Sequence, residues 1–227
     1  MPWHCYFPVS VRLPAMTKNT YWCLGYRSKG SYLSCSGKTL GLIDLGKIAQ
    51  VFIKKVKGFE FRILGYDPFV SKEFAKEIGV ELTEINKIFQ VSDYISLHAP
   101  LNEKTRHLIN EKTLQKMKPT AILVNTSRGS LIETNALYQA LKEGWINSAW
   151  IDVHEEEPPP EDYCLFELEN AVISDHAGWY SEESVQNLQR GAAEAVVAVL
   201  SGKWPKSVVN PEVEKMLGKT KLPGGNK

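Results

Sequence analysis

Residues 38–58 read KTLGLIDLGKIAQVFIKKVKG, and the place where this string changes period decides the fold. Thr39–Ile43 is a short apolar run of the length of a buried strand. From Lys47 onward, Ile48, Ala49, Phe52, Ile53 and Val56 recur at helical spacing, and Gly58 supplies a stop. The turn between them, Asp44-Leu45-Gly46-Lys47-Ile48-Ala49, stands where a G-x-G-x-x-G/A dinucleotide fingerprint belongs, with Asp44 at the first glycine. Gly46 lets the backbone approach a pyrophosphate, and Ala49 permits close packing of helix on strand. The amides of Gly46, Lys47 and Ile48 begin the helix, where free N–H groups and the positive dipole end favour an anion.

The alternation continues along the chain. Strands are expected at Phe61–Tyr66, Tyr94–Leu97, Ala121–Asn125, Ala149–Asp152 and Ala171–Ser174, six in all with the first. Helices are expected at Phe69–Ile78, closed by Gly79, and at Asn135–Glu143, closed by Gly144. Ser181 caps a long helix to about Leu200, with Glu182 and Glu183 in its favourable first turn. Such alternation implies a Rossmann-like, doubly wound α/β domain with a mostly parallel sheet. The second strand ends at Asp67, 21 residues after Gly46. An acid at that spacing accepts hydrogen bonds from ribose hydroxyls and repels a 2′-phosphate, so NAD is the expected cofactor.

Composition bounds the rest. Of 227 residues, 43% are hydrophobic and 23% charged, and the net charge is +1, so neither a nucleic-acid nor a membrane partner is expected. Cys5, Cys23, Cys35 and Cys164 form no C-x-x-C pair, which argues against a disulfide framework or a metal site and for a cytoplasmic setting. Residues 1–43 carry Arg12, Lys18, Arg27, Lys29 and Lys38 but no acid, while Pro2, Pro8 and Pro14 interrupt any amphipathic helix there. We therefore expect an irregular arm over 1–37, a cofactor-binding domain over 38–210, and a polar tail over 211–227.

Three strand ends carry chemistry. Asn125 is followed by Thr126-Ser127-Arg128-Gly129, Ile151 by Asp152-Val153-His154-Glu155-Glu156-Glu157-Pro158, and Ser174 by Asp175-His176. In a doubly wound sheet these segments collect at one edge, beside the ligand. Hydride transfer to or from a 2-hydroxy acid needs a cation for the carboxylate, an acid/base for the hydroxyl proton, and a carboxylate to orient that base. Arg128, His176 and Glu157 fit these roles in turn.

From Gly37 to about Pro211 the sequence resembles the NAD-binding domain of the D-isomer-specific 2-hydroxyacid dehydrogenases. Gly37-Lys38-Thr39-Leu40-Gly41 is similar to the family's lead into the dinucleotide turn. Ser96-Leu97-His98-Ala99-Pro100-Leu101 and Thr105-Arg106-His107-Leu108-Ile109 are similar to its segment beside the cofactor. Met117-Lys118-Pro119 and Val124-Asn125-Thr126-Ser127-Arg128-Gly129 resemble the stretch carrying its catalytic arginine, and 152–158 resembles its D-V-F-E-x-E-P run. The resemblance implies catalytic Arg128, Glu157 and His176. It implies cofactor contacts at His98, Ala99, Pro100, Thr105, Thr126, Ser127, Asp152 and His176, with Asp152 meeting the nicotinamide amide. His176-Ala177-Gly178-Trp179-Tyr180-Ser181 looks like the C-terminal-binding-protein-like members, in which an aromatic at Trp179 lines the substrate pocket; phosphoglycerate dehydrogenases are a second relative.

Three departures qualify it. Asp175 stands for a proline. Most of the family's substrate domain is expected to be missing, because only about 37 residues precede the cofactor domain. Asp44 stands for a glycine; Asp tolerates positive φ, but its carboxylate faces the phosphates, so weak NADH binding is expected. A homodimer transferring a hydride between nicotinamide and a D-2-hydroxy or 2-keto acid is the leading expectation. A dinucleotide-binding or sensing module with little turnover is the other.

Overall fold

A computed structural model describes residues 35–213, so most of the expected arm and tail, with Cys5 and Cys23, lies outside the described residues. The described chain forms two compact units, 35–178 and 179–213. The first is built on seven parallel strands: β1 (Thr39–Ile43), β2 (Arg62–Tyr66), β3 (Glu81–Leu82), β4 (Tyr94–Leu97), β5 (Ile122–Asn125), β6 (Ser148–Ile151) and β7 (Ala171–Ile173). Their order is β3-β2-β1-β4-β5-β6-β7. The chain winds outward from β1 to β3, returns to the centre at β4, and winds the other way. The reversal between β1 and β4 is the switch point at which such sheets bind ligands.

The pleat of β1 explains the two layers. Leu40 and Leu42 face one side, in a cluster with Ile53 and Val56 of α1 (Lys47–Val56) and Ala75 of α2 (Lys72–Glu77). Gly41 and Ile43 face the other side. A Cβ at Gly41 would come within 2.5 Å of the Ile88 and Ser92 side chains, so the missing side chain is what lets α3 (Ile85–Val91) lie directly on the sheet. That second cluster also takes Leu114 of α4 (Glu111–Leu114) and Leu137, Ala140 and Leu141 of α5 (Thr134–Lys142).

The expected count of six strands is corrected to seven. The extra strand, β3, is two residues long and pairs only with Leu64 and Gly65, too short to show a period. The helix expected at Phe69–Ile78 is only Lys72–Glu77. Asp67 accepts the Phe69 N–H, and Ser71 caps the helix by accepting from Phe74 N at 3.2 Å, so the helix starts after Ser71 and leaves Phe69 94% exposed.

In the second unit, α6 (Glu182–Leu200) begins at a reciprocal cap. Ser181 Oγ accepts from Ser184 N at 3.0 Å, and Ser184 Oγ accepts from Ser181 N at 2.8 Å. The expected cap and both ends of this helix hold.

Candidate active site

Register brings the site together. Tyr66, Ile43, Leu97, Asn125, Ile151 and Ile173 lie side by side across the sheet, and the residues just beyond this row are Asp67, Asp44, His98, Thr126, Asp152 and Ser174. The expected cofactor residues of the first unit therefore share one edge. Behind Gly46, α1 has no side-chain cap at its start, so no serine or aspartate at the cap occupies its first-turn amides.

Two carboxylates crowd this turn. Asp67 is buried, accepting from Leu45 N at 3.0 Å through Oδ2 and from Phe69 N at 2.8 Å through Oδ1. Each oxygen keeps a second acceptor direction for a ribose hydroxyl. Asp44 adopts φ 76, as its resistance to strain in that region allows, and its Oδ1 accepts the Gly46 N–H at 2.8 Å. Burial raises the Asp44 carboxyl above its ordinary value, the Gly46 N–H opposes this, and Asp67 adds to the rise. The Gly46 amide, in the turn where a phosphate is expected, is thus already taken by the Asp44 carboxyl.

Further along the edge, His98 lies against the Phe52 ring, with Ser96 Oγ 3.1 Å from its Nε2. Burial pushes it down to about 4, so it is neutral at physiological pH. Thr105 donates to the Pro100 carbonyl at 2.6 Å and closes the loop after β4. Ser127 donates to the Leu97 carbonyl at 2.6 Å and ties β5 to β4, while Thr126 is exposed.

The three candidate catalytic side chains line one open cleft together with Leu101, Gly129 and Val153. His176 Nδ1 lies 2.8 Å from Glu157 Oε2, and Glu157 Oε1 accepts from His154 N at 2.9 Å. Burial alone would raise Glu157; the His154 N–H and the His176 ring outweigh it and hold the carboxyl below its ordinary value. Arg128 is exposed, with Nη1 donating to its neighbour's carbonyl, Ser127 O, at 2.6 Å. The His176 backbone sits at φ 57. Its loop is fastened to Asp152, whose buried carboxylate accepts from Ser174 Oγ at 2.6 Å and from Ala177 N and Gly178 N at 2.9 Å each. Trp179 belongs to the second unit, where its carbonyl accepts from Ser184 Oγ and its ring meets Tyr180 edge-on.

One contributor escaped the sequence reading. A Cβ at Gly129 would fall 1.9 Å from the His154 carbonyl carbon and oxygen. Only glycine lets the Arg128 loop press against the Glu157 loop, and nothing in the string SRGS announces a contact with a backbone 25 residues away.

This edge gathers free helix amides, a buried carboxylate and a carboxylate–imidazole pair. The family profile described as D-isomer specific 2-hydroxyacid dehydrogenase, NAD binding domain, matches residues 11–178. The chain belongs to this family. The match begins inside the stretch read above as an arm. A glyoxylate reductase of Korarchaeum cryptofilum is 46% identical over 180 residues, covering 79% of this chain and 54% of that protein. A D-3-phosphoglycerate dehydrogenase of Methanocaldococcus jannaschii is 46% identical over 188 residues, covering 82% of this chain and 36% of that protein. The NAD-complexed D-isomer specific 2-hydroxyacid dehydrogenase of Lactobacillus delbrueckii ssp. bulgaricus superposes with a TM-score of 0.70 at 30% identity, over 78% of this chain and 57% of that one. Our chain spans about half the length of the curated glyoxylate reductases it matches. The cofactor of an NAD-binding domain of this family is NAD, and the departure in the expected phosphate turn is Asp44.

That departure has a measurable consequence. One Gly46 N–H cannot serve both the Asp44 carboxylate and a phosphate, and the two anions repel. Loss of one charge-assisted hydrogen bond is worth about 1.5 kcal/mol or more, roughly tenfold in affinity. Asp44→Gly is expected to bind NAD+ about tenfold more tightly than the parent in calorimetry at neutral pH. Lowering the pH toward the carboxylate range protonates Asp44, so parental affinity rises toward acid while that of the variant stays flat. Equal affinities at neutral pH would show that the Asp44 carboxylate swings clear of the phosphates.

Proposed function

We propose that the chain is the cofactor-binding part of an NAD-dependent oxidoreductase that moves a hydride between nicotinamide and a small D-2-hydroxy or 2-keto acid. The observation that carries this reading is the 2.8 Å contact of His176 Nδ1 with Glu157 Oε2 in a cleft that Arg128 also lines. The amides of Gly46, Lys47 and Ile48 would hold the pyrophosphate, and Asp67 the adenosine ribose. His98, Ala99, Pro100, Thr105, Thr126 and Ser127 would border the cofactor along the strand edge, with Asp152 nearest the nicotinamide amide. When bound, NAD supplies the hydride donor or acceptor.

In the reductive direction the Arg128 guanidinium holds the substrate carboxylate through charge and paired N–H groups. With Nδ1 engaged by Glu157, the His176 nitrogen left for the substrate is Nε2. Its N–H donates to the keto oxygen, and the proton moves to that oxygen as the carbonyl is reduced to a hydroxyl. Glu157 stabilises the imidazolium beforehand and keeps the Nδ1 proton in place afterwards. In the oxidative direction Nε2 takes the hydroxyl proton back.

Glyoxylate is the first substrate to test, given the names of the relatives, with pyruvate and hydroxypyruvate beside it. The active form is proposed to be a homodimer, the commonest closed assembly. The thiols of Cys35 and Cys164, both free, suit a reducing cytoplasm. The Asp44–Gly46 contact favours a second reading, an NAD(H)-binding module with little turnover. We expect glyoxylate-dependent loss of NADH absorbance, with NADPH at least about tenfold poorer in kcat/KM because Asp67 repels a 2′-phosphate. NADH binding without consumption of any keto acid would favour the module instead, and equal use of NADPH would remove Asp67 from the ribose site.

A further inference from the structure

We propose that His154 is a positioning residue that clamps the Glu157–His176 pair, an inference that rests on reading this pair as the acid/base of the reaction. His154 is 6% exposed, although its side chain is polar. Its Nε2 lies 2.9 Å from the Ser174 carbonyl oxygen and its Nδ1 3.3 Å from the Tyr163 hydroxyl. A carbonyl only accepts, so Nε2 carries a proton, and in the neutral ring Nδ1 is then bare and accepts from Tyr163. The Tyr163 ring meets the imidazole edge-on, at 84° and 5.4 Å between centroids, which fixes the plane of the ring.

This one residue therefore touches Glu157 and the strand end that leads to His176. Its backbone N–H donates to Glu157 Oε1 at 2.9 Å, leaving Oε2 for His176. Its ring holds the carbonyl of Ser174, two residues before His176. The imidazole thus adds to the Asp152 contacts a cross-link between the loop after β6 and the end of β7, on the side of the Glu157 carboxylate. The His176 N–H, which donates to the Asp152 carbonyl at 2.8 Å, closes the frame from the other side. A hydrophobic ring at position 154 would fill the same space, yet it would leave the Ser174 carbonyl without its donor and the β7 end held by its Asp152 and Ile151 contacts alone. A displacement of about 1 Å at a reacting group is enough to cost about 100-fold in rate.

The test compares His154→Phe, which keeps a ring against Tyr163 and removes the donor, with His154→Gln, whose amide N–H reaches about as far as Nε2. The first readout is the tautomer of each neutral histidine, read from long-range 1H–15N spectra, and it needs neither cofactor nor turnover. In the parent we expect His154 protonated at Nε2 and His176 at Nδ1, the latter held by Glu157. In His154→Phe, His176 shifts toward the Nε2–H form; in His154→Gln it stays at Nδ1. The second readout is glyoxylate reduction, with kcat about 10–100-fold lower in His154→Phe, KM and NADH affinity within about twofold, and most of the rate restored in His154→Gln. An unchanged His176 tautomer in His154→Phe, or an Nδ1–H His154 in the parent, overturns the proposal. The parental tautomer decides the matter even where His154→Phe does not fold. Failure to reduce any keto acid counts against the oxidoreductase reading alone, since the spectra are independent of it.

Discussion

His176→Ala is expected to lower kcat for keto-acid reduction by about 10²–10⁴-fold, the usual contribution of a positioned proton donor. The affinity for NADH should stay within about twofold, because the cofactor candidates other than His176 stand on the edges of β1, β2, β4, β5 and β6. The magnitude follows from the reaction. As hydride reaches the carbonyl carbon, charge grows on the oxygen, and only a donor already in place can neutralise it without solvent reorganisation. His176 has one nitrogen fixed by Glu157 at 2.8 Å, so the other is presented in one tautomer at one orientation. Glu157→Gln is expected to share part of the loss, because the amide holds the ring yet no longer favours the imidazolium. Near-parental kcat in His176→Ala, measured with saturating NADH and glyoxylate, would place the proton path elsewhere.

Arg128→Ala comes second, with kcat/KM lower by about 10²–10⁴-fold and the loss divided between KM and kcat. Two charge-assisted hydrogen bonds at about 1.5–3 kcal/mol each account for that range. The division is expected because, in the proposed role, the guanidinium would both bind the carboxylate and fix the carbon that receives the hydride. The loop is already set, since Asn125 Nδ2 donates to the Arg128 carbonyl at 2.9 Å and Gly129 seats it against His154. Arg128→Lys should recover little, because an ammonium lacks the planar fork. Recovery to near-parental kcat/KM in Arg128→Lys would reduce the role of Arg128 to simple charge.

The sequence was most legible where the signal is local and periodic. The bounds of β1 and α1 were readable to the residue from a five-residue run with Leu40, Leu42 and Ile43 followed by a helical repeat, and α6 from its Ser181 cap. β3, α3 and α4 were missed: two, seven and four residues long, they are specified by what they pack against, such as the bare Gly41 beneath Ile88 and Ser92. In the site, residue types at strand ends pointed to Arg128, Glu157 and His176. Their fastening did not show. The Asp67 carboxylate tied to Leu45 and Phe69, the Asp152 carboxylate turned into the 174–178 loop, and Gly129 against a distant backbone are tertiary facts. A single string carries no mark of them.

The left-handed backbone at His176 sets its own terms for change at that position. A side chain with φ 57 carries a strain that glycine escapes and asparagine bears better than most. Substitutions there therefore alter the conformational balance of the loop as well as its chemistry, and the two effects need not have the same sign. Glycine or asparagine at 176 would relax the loop while abolishing proton transfer, so mutants selected for thermal stability alone would drift away from histidine. The amides of Ala177 and Gly178, which donate to Asp152, report this directly. Their hydrogen-exchange protection should be retained in His176→Asn and weaker in His176→Ala, separating the cost of holding the base in place from the use made of it.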